Sequence, residues 1–236
     1  MNVKSKILIF LVFTTVNLIA QKFVEGAHRF SDGKISYLYL EDGTIVKGYI
    51  DDLDRKKGLI EEVVLKDSIT KKKVTYKPEQ IKNMYLPPSG FDKFTKGYDK
   101  IYDVQKWEDD NVNAQFIKEG YVLFEKSDVM IKKKKFTLLL QLVNPGFSEK
   151  VRVYLDPNAS ETTSYGVGGF TLAGGDAKSY YVKKGNEVAF KLQKKNYEEE
   201  YKHLFGDCAK YYDANLKKFD WEDLAKNIYD FSKECK

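Results

Sequence analysis

Apolar and polar residues alternate from Ile35 to Leu40 and again from Ile45 to Ile50, with Asp42-Gly43 between the two runs. A period of two puts successive side chains on opposite faces of a strand, and Asp-Gly between two such runs signals a hairpin. LIEEVVLKD (59–67) and KKVTYKP (72–78) read as two more strands, joined by a turn at Ser-Ile-Thr and the adjacent lysines. EQIKNMYL (79–86) follows and stops at Pro87-Pro88, so residues 35–86 predict a β unit of four or five strands. A second unit starts at FIKEGYVLFEKS (116–127), with KKFTLLLQLVN (134–144) as its candidate central strand and KVRVYLD (150–156) alternating after it. KSYYVKKG (178–185) and NEVAFKLQ (186–193) predict a hairpin turned at Lys184-Gly185-Asn186. The stretch 87–113 has no clear period, yet it carries Phe91, Phe94, Tyr98, Tyr102 and Trp107. Disordered linkers are poor in aromatics, so it reads as an ordered connection packed on a sheet.

The period changes near residue 197. Tyr197, Tyr201, Leu204 and Cys208 recur at steps of four, three and four, and Leu224, Ile228, Phe231 and Cys235 do the same. Such spacing lines one face of a helix. Gly206 suits a break after the first helix. Asp220 stands at an N-cap position, with Glu222 and Asp223 in the first turn to suit the helix dipole. Two antiparallel helices joined by AKYYDANLKKF would set the stripes face to face. Cys208 and Cys235 are the only cysteines. Each extends an apolar stripe, and their 27-position separation is unlike the C-x-x-C of a redox pair, so they are assigned as a structural disulfide. Strands first and helices last argue an α+β fold. It would be mainly antiparallel β, in small barrel-like or sandwich-like units, closed by a C-terminal helical hairpin. The organisation expected is a leader over 1–20, a β unit over 21–88, a connection over 89–113, a second β unit over 114–193 and a disulfide-stapled helical hairpin over 194–236.

The leader follows from residues 1–22. Lys4 and Lys6 precede a mostly apolar run of 14 residues, Ile7 to Ala20, that ends at Gln21-Lys22. The run is short for a bilayer span and has the form of a signal peptide, with cleavage after Ala20; the alternative is an uncleaved anchor. No later apolar stretch is long enough to span a membrane as a helix. Export to the periplasm or beyond follows, and it makes nucleic acid an unsuitable partner. Losing Lys4 and Lys6 lowers the formal charge from +5 to +3, which argues little for any anionic partner. Seventeen tyrosines and fifteen phenylalanines suit pleated surfaces.

GVGGFTLAGGD (166–176) invites a nucleotide-binding reading and fails it. Gly169 and Gly174 have P-loop spacing, but Gly175 and Asp176 stand where Lys and Ser/Thr must be. Thr171 replaces the third glycine of a dinucleotide loop. Bends flanking the apolar piece FTLA are the reading, with a glycine-rich edge that could accept an extended peptide. Asp109, Asn111 and Asn113 begin like a calcium loop, but Ala114 and Gly120 occupy the positions of its glycine and bidentate glutamate. Asp51, Asp52 and Asp54 fail the same pattern. His28 and His203 are too few for a three-histidine zinc site. No catalytic, cofactor or metal residue is therefore assigned. Paired carboxylates need only two acids brought together in space, and 35 acids leave that chemistry open. The lysine runs 71–73 and 132–135 read as solvated hairpin tips or edge protection, with attraction to an anionic polysaccharide or membrane surface as the alternative.

DGTIVKGYI followed by KVTYKPEQIKNMYL resembles a module of uncharacterised secreted envelope proteins of Gram-negative bacteria. That module pairs a D-G-x-x-x-x-G-x-I hairpin with a later Y-x-P-x-x-I, and its shape is similar to small SH3-like or Sm-like barrels. YYVKKGNEV, a following helix and a cysteine near 208 resemble the second half of such proteins. The resemblance implies a fold and an envelope location, and no activity or site residues. Asp67-Ser68-Ile69 is similar to a short bacterial O-glycosylation signal, and Asn158-Ala159-Ser160 fits the N-glycosylation pattern. The function expected is a non-enzymatic binding or scaffolding module acting through Tyr- and Phe-rich β surfaces on an envelope protein or glycan. The alternatives are a glycan-acting enzyme with paired carboxylates and a carrier of a small apolar ligand.

Overall fold

The first hairpin forms where the alternation meets Asp-Gly. Strand β1 (Ile35–Leu40) pairs antiparallel with β2 (Ile45–Lys56). Asp42 Oδ1 accepts the Thr44 N–H at 2.9 Å, and Gly43 takes the positive φ (86°) that the turn needs. β2 runs on past β1 and pairs with β3 (Leu59–Asp67) through a two-residue turn, Lys57-Gly58, with φ of 51° and 78°. β3 pairs with β4 (Lys73–Tyr76). A 3-10 turn at Pro78–Gln80 then redirects the chain into β5 (Ile81–Leu86), which returns to pair with β1. The four or five strands expected over 35–86 are thus five, in the order β4-β3-β2-β1-β5. Their inner face buries Leu38, Val63, Leu65, Ile81 and Met84.

The computed structural model describes residues 22–90, 112–159, 165–167, 170–173, 177–216 and 220–235. The expected leader, most of the aromatic connection and the glycine bends at 168–169 and 174–176 lie outside these residues.

β6 (Val122–Ile131) continues the sheet by pairing with β5, and turns through Lys132-Lys133 into β7 (Lys134–Gln141). The strand expected from residue 116 begins at Val122, because Ala114–Lys118 forms a short helix, α1. Asn113 is the cause: its side-chain oxygen accepts the N–H groups of Gln115 and Phe116, and Gly120 at φ 84° ends the turn. β8 (Val151–Leu155) pairs with β11 (Ser179–Lys184), and β11 with β12 (Ala189–Gln193) through the expected Lys184-Gly185-Asn186 turn. Between them FTLA forms β10 (Phe170–Ala173), paired with β9 (Tyr165–Val167) in a separate two-stranded ladder. FTLA itself therefore sits in an antiparallel ladder.

The second unit closes on itself. Leu142 pairs with Tyr154 beyond the end of β7, and β12 pairs in parallel with β6 at Ala189↔Val129. Five consecutive antiparallel strands, β6, β7, β8, β11 and β12, can form a ring only if the first and last run the same way, which accounts for the one parallel seam among the described strands. Asn144 locks the corner between β7 and β8: its Nδ2 donates to the Phe147 and Val151 carbonyls, and its Oδ1 accepts the Val153 N–H.

The outer face of β8 and β11 carries Val151, Val153, Tyr180 and Val182, and the C-terminal helices bury it. These are α2 (Tyr197–Phe205), α3 (Ala209–Asn215) and α4 (Leu224–Glu234). The segment expected to be a plain loop between two helices contains α3, because Tyr211 seats fully in the same core. Its hydroxyl donates to the Asn227 carbonyl at 2.9 Å. Asp220 makes no side-chain cap; it precedes a 3-10 turn, Trp221–Asp223, that leads into α4. Gly206 is helical (φ −71°) and is required for space, since a Cβ there would lie 2.4 Å from the Lys202 carbonyl oxygen. Among the described residues no helix is long and apolar enough to cross a membrane.

Candidate functional site

Four separate chain segments meet at the seam between the two β units and leave a cleft of about 300 Å³. The β2–β3 turn supplies Arg55, Gly58, Leu59 and Ile60; β6 and β7 supply Phe124, Leu139, Leu140 and Gln141. Leu155 and Pro157 come from the end of β8, and Ala27 and His28 from the segment that precedes β1. The rim is tight at two glycines. A Cβ on Gly58 would lie 2.7 Å from Pro157 Cβ, and one on Gly26 would lie 2.6 Å from Leu155 Cδ2.

Residues 22–31 lie across both units as an irregular strap. Val24 N–H donates to the Val143 carbonyl at 2.7 Å, and Ser31 N–H to the Pro87 carbonyl at 2.9 Å. Gln141 fastens the middle, accepting the Ala27 N–H at 2.8 Å and donating to the Glu25 carbonyl at 3.0 Å. Arg55 Nη1 donates to the His28 carbonyl at 2.8 Å, and its guanidinium stands 5.7 Å over the Phe30 ring. Phe30 in turn meets Phe124 edge to face at 5.7 Å. Arg55 is thereby held at the cleft by a carbonyl and a ring, an arrangement suited to guanidinium. Among the described residues the lining is aliphatic and aromatic for the most part, with Arg55, His28 and Gln141 as its polar members and no carboxylate. A concave apolar lining with few polar groups is the usual form of a small-molecule site.

The acids gather elsewhere. Inside the ring of strands, Glu125 receives Arg152 Nη1 on both oxygens (2.8 and 2.9 Å) and the Tyr154 hydroxyl at 3.0 Å. Asp156 is fully buried; it accepts the Ser179 hydroxyl at 2.7 Å and the Asn158 N–H at 3.0 Å, and pairs with Lys191. Burial, and then the Glu125 charge, push the Tyr154 hydroxyl far above its ordinary value. Tyr181 is pushed up to about 12 by burial and then by Asp156. Donors crowd both carboxylates, which is the construction of a structural ion pair. Among the described residues, the carboxylates with a displaced pKa move the wrong way for a general acid. Thr44 lowers Asp42, Thr70 lowers Asp67, Lys135 lowers Asp128 and Lys194 lowers Glu222.

Cys208 and Cys235 sit at disulfide distance, with sulfurs 2.00 Å apart, at the edge of the helical core. Asn113 of the calcium-like triplet is the α1 cap; Asp109 and Asn111 lie outside the described residues. Among the described residues no group of three or more His, Cys, Asp or Glu is placed to hold a metal ion. His203 lies far from His28 in the chain and meets Glu187 (2.7 Å) and Glu200 (3.3 Å) on the surface.

Sequence reasoning missed the cleft. Arg55, Leu59 and Pro157 belong to no motif, and the charged run 51–57 that leads into Gly58 gives no sign of the wall it helps to form. Comparison with protein-family models, with curated proteins and with solved structures finds no match for the chain.

Proposed function

We propose that the chain is an exported, non-enzymatic binding protein of the bacterial envelope, and that the seam cleft takes a small, largely apolar ligand. The observation that carries this is the lining: an apolar concavity with a held arginine and, among the described residues, no carboxylate. A glycan hydrolase with paired carboxylates would need acids converging on its cleft. The aromatic residues favour the cleft over a flat aromatic patch as the binding site. Tyr85, Tyr154, Tyr197, Tyr201 and Tyr211 are fully buried, and Phe136 is the one aromatic among the exposed large apolar side chains of the described residues.

The test uses phenylnaphthylamine, a neutral apolar dye, with the purified protein. Saturable fluorescence enhancement is expected, and Leu59→Trp, which fills the cleft from a half-buried position, should remove it while the circular dichroism stays unchanged. Dye binding that survives Leu59→Trp, or no dye binding at all, overturns the cleft assignment. Shortening of peptidoglycan strands by the protein overturns the non-enzymatic reading.

A further inference from the structure

Seven large apolar side chains are exposed among the described residues, and five of them, Ile45, Ile69, Val74, Met130 and Phe136, fall along one margin of the sheet. The pairings trace that margin. The β3–β4 turn lies beside β2, where the Ser68 N–H donates to the Lys47 carbonyl. Ile45 pairs with Tyr39 next to the β1–β2 turn, and Leu40 pairs with Ile81. Lys126 of β6, paired with Glu41, carries the margin to the β6–β7 turn. Both lysine runs, 71–73 and 132–135, occupy the same margin. The cleft rim, at the β2–β3 turn, is at the other end of these strands.

Two features of this margin are costly to the folded chain. Ile69 keeps 86% of its surface in water at the tip of the β3–β4 hairpin. The non-glycine residues with positive φ among the described ones are all lysines, and Lys71, Lys132 and Lys133 stand here, at φ 61°, 46° and 66°. A two-residue hairpin turn of this kind is taken most easily by Asn-Gly; a side chain at positive φ is strained. Strain at an exposed site points from structure to a use for the residues that bear it. Asp51 and Asp128 pair with Lys73 and Lys135, each at 2.7 Å, and Asp67 sits in the β3–β4 turn, which leaves both runs positive on balance and the 132–135 run strongly so.

We propose that this margin docks on an anionic lipid surface, with Ile69, Met130 and Phe136 entering the headgroup boundary and the lysines meeting lipid phosphates. Cationic residues interleaved with exposed apolar ones match such a surface in both charge and polarity. An acidic polysaccharide would engage the lysines but gain nothing from exposed Ile and Met. The inference stands apart from the cleft and does not depend on its ligand.

The experiment is vesicle flotation with the purified protein. Phosphatidylcholine vesicles are compared with vesicles containing about one third phosphatidylglycerol. Binding is expected to the anionic vesicles and to fall about tenfold or more when Lys132→Asn and Lys133→Gly are combined, since each surface lysine contributes to the attraction. That pair installs the preferred turn, so its thermal midpoint should hold or rise while lipid binding drops, which separates docking from folding. Ile69→Ser should weaken binding as well. Equal binding to both vesicle types, or none, overturns the proposal. So does binding that resists Ile69→Ser but is competed away by soluble alginate, which would assign the margin to an acidic polymer.

Discussion

Gly43 and Gly48 are five positions apart in one hairpin, and different physics requires each. Gly43 needs its positive φ, and a Cβ there would meet nothing within 4 Å. Gly48 has no such backbone demand, but a Cβ would lie 2.5 Å from the Lys66 carbonyl oxygen and 2.9 Å from the Leu65 side chain. The later positions of the pattern are also structural: Pro78 starts the 3-10 turn, and Ile81 is fully buried. Gly48→Ala must push β3 away from β2 and is expected to cost about 2 kcal/mol, as core overpacking does. Gly43→Ala pays only the backbone conformation, about 1 kcal/mol. Urea unfolding of both variants at constant m-value checks the order, and a Gly48→Ala midpoint at or above that of Gly43→Ala would show that β3 yields freely.

At the scale of elements, the helical end depends on side chains that serve both as core and as ties. Asn227 Nδ2 donates to the Tyr197 hydroxyl at 2.9 Å, joining α4 to α2, and Trp221 Nε1 donates to the Ala177 carbonyl at 2.8 Å, joining the turn before α4 to the segment that leads into β11. The Cys208–Cys235 bridge closes a loop of 27 positions around α3. In the chain-entropy account a bridge of that span stabilises by about 3.5 kcal/mol. Cys208→Ser with Cys235→Ser should lower stability by about that amount in guanidinium titrations, with α-helical signal lost first. Identical midpoints for oxidised and fully reduced wild-type protein would remove the bridge from any account of stability. Periodicity made α2, α4 and the bridge legible, because each cysteine continues a 3.6-residue stripe. It did not expose α3. Seven residues are too few to show a period, and Tyr211 declares itself only by entering a core built from distant segments.

At the scale of the molecule, the tyrosine surplus becomes a pH dependence. Burial raises the hydroxyls of Tyr154, Tyr197 and Tyr211 above their ordinary value of 10.0, and raises Tyr181 to about 12. A raised folded pKa means that the neutral form is favoured in the fold. The stabilisation is therefore complete below pH 10.0 and is lost as pH rises through the folded values. Stability is expected to hold up to about pH 10 and to fall above it, with late tyrosinate absorbance appearing together with unfolding. A single tyrosinate transition near pH 10 in a protein with native circular dichroism would contradict this.

Local chemistry determined much of this protein from the sequence alone. Strands β1 to β4, β7, β8, β11 and β12, the Asp-Gly turn, the amphipathic helices and the α+β order are readable because a period of two or 3.6 and a turn residue act over a few neighbours. The tertiary structure decided the rest. Odd-numbered closure imposed the parallel seam of β12 on β6, and the ion pairs of Glu125 and Asp156 arose inside that closed ring. The cleft joins residues 27, 55, 124, 139 and 157, which no local rule connects. The margin that gathers Ile69 with Lys132 exists because β-sheet register aligns the ends of strands far apart in the chain. Pattern reports what a residue needs from its neighbours in sequence, whereas a site depends on which distant segments the closed sheet brings together.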